Sequence, residues 1–117
     1  MINDALYISV ADHLCDKIIK GEIQEGDVLN HMDVAEELAV SRNVVKEAFV
    51  FLVEKSLFKE QGLMYSLMEE ARSKAVQYRR NKVLTADLLS SFALLSSLAI
   101  TEQELLDAYQ KFLTSRS

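Results

Sequence analysis

The 117 residues suffice for one ordinary domain or for a compact domain with an appendage, and at 50% hydrophobic and 26% charged they exclude a disordered chain. No proline and only three glycines favour helix, and the single Cys15 excludes an internal disulfide, as suits a reducing cytosol. The net charge of −5 excludes a uniformly basic chain, and residues 1–66 are the acidic half.

A first helix is predicted from about Asp4 to Lys20, where Leu6, Tyr7, Val10, Ala11, Leu14, Ile18 and Ile19 recur at helical spacing. Gly21 ends it. A loop with Gly26 follows, and Val28-Leu29 predict a short strand. Asn30 is the expected N-cap of a two-turn helix over Met32 to Leu38, with Asp33 in its first turn. After Ala39-Val40, Ser41 caps a third helix whose Val44, Val45, Ala48, Phe49, Leu52 and Val53 point inward. Two short helices joined so tightly predict a helix-turn-helix.

Leu57-Phe58-Lys59-Glu60 and Met64-Tyr65-Ser66-Leu67 flank Gln61-Gly62, which predicts a short hairpin with Gly62 at its turn. Three helices and then a hairpin is the order of a winged helix. From Glu69 to Ile100 the pattern is helical again, with a break expected near Val83-Leu84 and Thr85 as the cap beyond it. Thr101-Glu102-Gln103-Glu104 is a capping box that opens a last helix. The fold expected is therefore mainly α, a winged helix-turn-helix over 1–67 followed by a helical dimerisation tail over 68–117. The opening Met-Ile-Asn-Asp-Ala has no basic run and predicts no signal peptide. Leu84 to Ile100 is broken by Asp87 and four serines and predicts no membrane span, so a soluble, cytoplasmic protein is expected.

Gly21-x4-Gly26-x2-Leu29-Asn30, then Val34-Ala35-x2-Leu38, then Val40-Ser41-Arg42-Asn43-x-Val45-x2-Ala48-x3-Leu52, resembles the DNA-binding domain of GntR-family bacterial regulators. The tail of about fifty residues is similar in length to that of the YtrA-type subfamily, whose short helical C-terminus dimerises. The resemblance implies a homodimeric transcription regulator, a repressor of a nearby operon, binding a pseudo-palindromic operator in double-stranded DNA. Two departures stand out. Many family members carry Leu-Pro-Ser and then an arginine at the start of the second helix, where this chain has Asn30-His31-Met32-Asp33, and their wing usually has Gly-x-Gly where this chain has Gly62-Leu63-Met64.

The candidate DNA-reading residues are Ser41, Arg42, Asn43 and Lys46, on the leading turns of the recognition helix. Arg42 has the fork to grip guanine, and Asn43 can pair with adenine or with a phosphate. Lys55, Lys59 and Gly62 are candidates for backbone phosphate contact. The bland reading makes Ser41 a cap and the rest solvent-facing residues. Leu84, Leu88, Phe92, Leu95 and Leu98, with Leu105, Leu106, Tyr109 and Phe112, form faces too apolar for isolated helices. They suit a two-fold partner, or else cover the first helix of their own chain. The basic stretch Arg72, Lys74, Arg79, Arg80 and Lys82 suits DNA backbone, a partner's carboxylates or plain solvent.

No metal or other cofactor is expected. His13 and Cys15 diverge at i and i+2 on a helix, and His31 reads as a surface residue. No nucleophile–base pair or phosphate-cradling loop suggests an enzyme. The tail is short for a small-molecule pocket, so no effector is assigned. The rival to DNA binding is a winged-helix adaptor for other proteins, favoured by the acidic reading domain and the trimmed wing.

Overall fold

The computed structural model describes residues 2–116, and side-chain surroundings from residue 6 onward. Helix α1 (Ile2–Lys20) turns Val10, Ala11, Leu14, Cys15 and Ile18 into the core, the spacing of one helical stripe. Gly21, at φ 83°, lets the chain leave it. Strand β1 (Val28–Asn30) leads into α2 (His31–Leu38), and α3 (Arg42–Glu54) packs on both helices. Strands β2 (Phe58–Gln61) and β3 (Met64–Leu67) form the hairpin.

Gln61 pairs with Met64, so the hairpin turns on two residues, with Gly62 at φ 63° supplying the left-handed conformation such a turn needs. The short wing expected from a single glycine is what forms. β1 adds antiparallel to β3, Val28 opposite Ser66 and Asn30 opposite Met64, giving a three-stranded sheet in the order β1-β3-β2. The isolated strand at Val28-Leu29 thus becomes the hairpin's outer neighbour, a long-range pairing. Phe49 of α3 ties the layers together. Its ring stacks on Tyr65 at 4.1 Å and meets Phe58 edge-on at 5.2 Å.

Helix α4 (Ala71–Lys82) follows Glu70, which sits at φ 62°. The boundary expected at Leu67 moves: the first compact unit runs through Arg80. The reason is physical, because Ala71 and Ala75 are buried with the same core. His31 is also corrected. It is not a surface residue but 5% exposed, and its Nδ1 has no hydrogen-bond partner among the described residues.

The second unit covers 81–117. No cap interrupts the helix near Val83-Leu84. Instead Val83–Asp87 form a π-helical turn, and Lys82 and Leu88 on either side keep right-handed helical angles. Thr85 does not cap a new segment; its hydroxyl donates back to the Asn81 carbonyl at 2.7 Å, an i−4 bond that loosens the local ladder without ending it. Helix α5 (Leu88–Ser97) ends where Ala99 turns left-handed, at φ 57°. Helix α6 (Glu102–Ser115) opens on the expected capping box: the Thr101 hydroxyl accepts from the Glu104 N–H at 3.1 Å, and the Glu104 carboxylate accepts from the Thr101 N–H at 2.9 Å.

Candidate nucleic-acid interface

The geometry of the reading helix is set by three local devices. Asn30 Oδ1 accepts from the Met32 N–H at 2.7 Å and starts α2. Ala39, left-handed at φ 55° and ψ 44°, ends α2, and its N–H reaches back to the Ala35 and Glu36 carbonyls. Ser41 is extended, and its hydroxyl accepts from the Val44 N–H at 3.2 Å, starting α3 after a turn of three residues.

With Val44, Val45, Ala48, Phe49 and Leu52 buried, the opposite face of α3 is fixed as the outer one. Arg42, Asn43 and Lys46 are all exposed there. Arg42 and Lys46 are one turn apart and therefore lie along one ridge. The first turn of α3 holds no carboxylate, so the positive end of the helix dipole and Arg42 add rather than cancel. The first amides of a helix have no acceptor within it, which leaves them for an outside oxygen.

The remaining candidates stand differently. Lys55 is at the far end of α3, its ammonium 5.4 Å from the centre of the Phe51 ring. Lys59 is exposed on β2, facing neither core nor turn. Gly62 forms the wing tip, but the side chain offered there is Leu63, 72% exposed. Sequence reasoning passed over the carboxylates of the same helix: Glu47 and Glu54 line a shallow surface groove with Tyr7, Lys46, Val50 and Phe51. The stretch of α3 free of carboxylates is therefore its first turn, where Arg42 stands, while Lys46 has Glu47 beside it.

The basic stretch on α4 is partly committed within the chain. Arg79 pairs with Asp12 and Asp16, and Arg72 Nε donates to the Ile19 carbonyl at 3.1 Å. In the second unit Leu84, Phe92, Leu98, Leu105, Leu106, Tyr109 and Phe112 are exposed, while Leu88 and Leu95 are half-buried. Among the described residues no group of three His, Cys, Asp or Glu is placed to hold a metal ion. No helix among them is long and apolar enough to cross a membrane.

Residues 6–61 match the family described as bacterial regulatory proteins, gntR family. Among solved structures, a protein assigned to the GntR family of transcriptional regulators from Bacteroides thetaiotaomicron is similar at TM-score 0.74 and 22% identity, covering 95% of this chain and 99% of that one. BusR of S. agalactiae, solved with its busA-promotor DNA, is similar at TM-score 0.64 and 12% identity, over 91% of this chain and 54% of BusR. YtrA from Sulfolobus acidocaldarius, a GntR-family transcription factor, is similar at TM-score 0.50 and 22% identity, over 93% of this chain and 88% of YtrA. No curated protein sequence matches. At such identities these likenesses speak for the fold.

Proposed function

This chain belongs, through residues 6–61, to the gntR family of bacterial regulatory proteins, DNA-binding transcription regulators rather than enzymes, and from that premise we propose a homodimeric repressor that reads a pseudo-palindromic operator. The observation that carries the DNA contact is the outer face of α3: Ser41 caps the helix, and Arg42, Asn43 and Lys46 stand exposed on its leading turns with no carboxylate in the first turn. Arg42 and Asn43 address base edges in the major groove, and Lys46 addresses a phosphate one turn on. Lys59 and the wing tip at Gly62 approach the flanking backbone. Lys55, over the Phe51 ring, is the weakest of the set.

Dimerisation rests on a separate observation. No described residue of 81–116 is buried within the single chain, although the leucines of α5 and Leu105, Leu106, Tyr109 and Phe112 of α6 are there to be covered. A second copy related by a two-fold axis removes both faces from water at once, and it presents two recognition helices to two half-sites. Repression follows if the bound dimer occupies promoter DNA, and a cytoplasmic location suits that role.

Gel shift against the DNA upstream of the chain's own gene, beside a scrambled duplex, tests the reading. A specific complex of two chains per duplex is expected. A folded protein that binds neither duplex would point instead to a winged helix that serves other proteins.

A further inference from the structure

Behind the leading turns of α3, the surface groove shared with α1 has a volume of about 420 Å³. Tyr7 lines it from α1, and Lys46, Glu47, Val50, Phe51 and Glu54 line it from α3. Val50 is a branched aliphatic residue left 52% exposed. The Phe51 ring is only half-buried, yet it is held on its edges by two other rings. Tyr7 meets it edge-on with centroids 6.2 Å apart, and Tyr78 of α4 does the same at 5.5 Å. The aromatic part of the groove is therefore in place before any ligand arrives, which lowers the ordering cost of binding.

The charges of the lining are unequal. Glu47 and Glu54 are two helical turns apart and share one face, with Val50 and Phe51 one turn from each. Two exposed carboxylates thus flank one apolar and aromatic patch. Neither forms an ion pair among the described residues. Against the single ammonium of Lys46 they leave the lining net negative. The face of an aromatic ring also attracts a cation, and Phe51 already does so within the chain, with the Lys55 ammonium 5.4 Å from its centre. An anion would be repelled by both carboxylates, and a neutral apolar ligand would leave them unused. The complement of this lining is a cation with an apolar body.

We propose that this groove binds a small organic cation, a primary or quaternary ammonium carried on an apolar or aromatic body. The ammonium lies between the Glu47 and Glu54 carboxylates against the Phe51 ring, and the body covers Val50 and Tyr7. The volume falls within the roughly 300–1,000 Å³ of small-ligand sites. Because the carboxylates are exposed, binding weakens as salt is raised. Every lining residue belongs to the first unit, and the site stands independently of the DNA-binding reading above.

The probe is phenethylammonium, set beside phenethyl alcohol, which keeps the body without the charge, and phenylpropanoate, which reverses the charge. Each is titrated into the full-length protein and followed by backbone and aromatic chemical shifts. Phenethylammonium is expected to give saturable shifts centred on Tyr7, Val50 and Phe51. It should bind about tenfold more tightly than the alcohol, a difference of about 1.4 kcal/mol, and phenylpropanoate should not saturate. A Glu47→Gln, Glu54→Gln double variant changes only exposed side chains. It is expected to lose about tenfold in affinity for the amine, down to the level of the alcohol, with binding of the alcohol unchanged. Equal affinity of the parent for amine and alcohol overturns the proposal, as do shifts that never saturate or that centre elsewhere. A folded double variant that binds the amine as tightly as the parent overturns it too. If the double variant does not fold, Glu54→Gln alone must weaken the amine about threefold and spare the alcohol, and unchanged amine binding there overturns the proposal.

Discussion

Phe49→Leu removes the joint between recognition helix and wing while leaving most of the volume in place. Phe49 is 0% exposed, stacked on Tyr65 at an interplanar angle of 4° and edge-on to Phe58 at 86°. Each aromatic pair contributes about 0.5–1.5 kcal/mol beyond area burial, so losing both costs about 1–3 kcal/mol. Trimming the ring to the smaller isobutyl side chain adds about 1 kcal/mol of lost packing. A total near 3 kcal/mol is a large part of the roughly 4–12 kcal/mol that a unit of this size holds. At about 4–8 °C per kcal/mol, the melting temperature should fall by about 12–24 °C. Thermal and urea unfolding followed by circular dichroism measure this, and a double-mutant cycle with Tyr65→Leu should return a coupling of about 0.5–1.5 kcal/mol. A fall of less than about 4 °C, with additive single changes, would refute the claim that the two rings join the layers.

Ala39→Gly should stabilise the protein by about 0.5–1 kcal/mol, because Ala39 holds a left-handed φ of 55° that glycine adopts without strain; thermal melts check it. Leu95→Glu puts an unpaired carboxylate in the middle of the apolar stripe, and sedimentation should show the dimer lost, with the first unit still folded. A chain ending at Arg80 that still dimerises would refute the assignment of the interface. Lys46→Ala should weaken binding to all duplexes alike and lower the salt slope of the binding constant by about one, as read by titrations at several salt concentrations.

Much of the fold was legible because its boundaries are drawn by local chemistry. Asn30, Ser41 and Thr101 announce three helix starts through their own side chains, and Gly62 announces the two-residue turn. The inward stripe of α3 likewise fixes which of its residues face out, so the placement of Arg42 and Lys46 needed no distant partner. What sequence reading missed is non-local. The attachment of α4 depends on Tyr78 and Arg79 meeting Asp12 and Asp16, more than sixty residues earlier, and on two small residues, Ala71 and Ala75, that look unremarkable in a polar helix. The same holds for His31, whose burial is decided by what packs over it rather than by its place beside a cap. Thr85 misled because a threonine after a weak spot reads as a cap, whereas its hydroxyl bonds the preceding turn.

Arg42 carries the central claim, because it is one of two basic side chains on the leading half of a helix whose later turns bear Glu47 and Glu54. Fluorescence anisotropy on the upstream duplex that the parent shifts and on a scrambled duplex, with circular dichroism as the folding control, is the direct measurement. Arg42→Ala should lose about 1–3 kcal/mol on the upstream duplex, roughly 5- to 150-fold in affinity, with little change on the scrambled one and an unaltered spectrum. A well-folded Arg42→Ala that binds the upstream duplex as tightly as the parent would contradict the assignment of α3 as the helix that reads DNA.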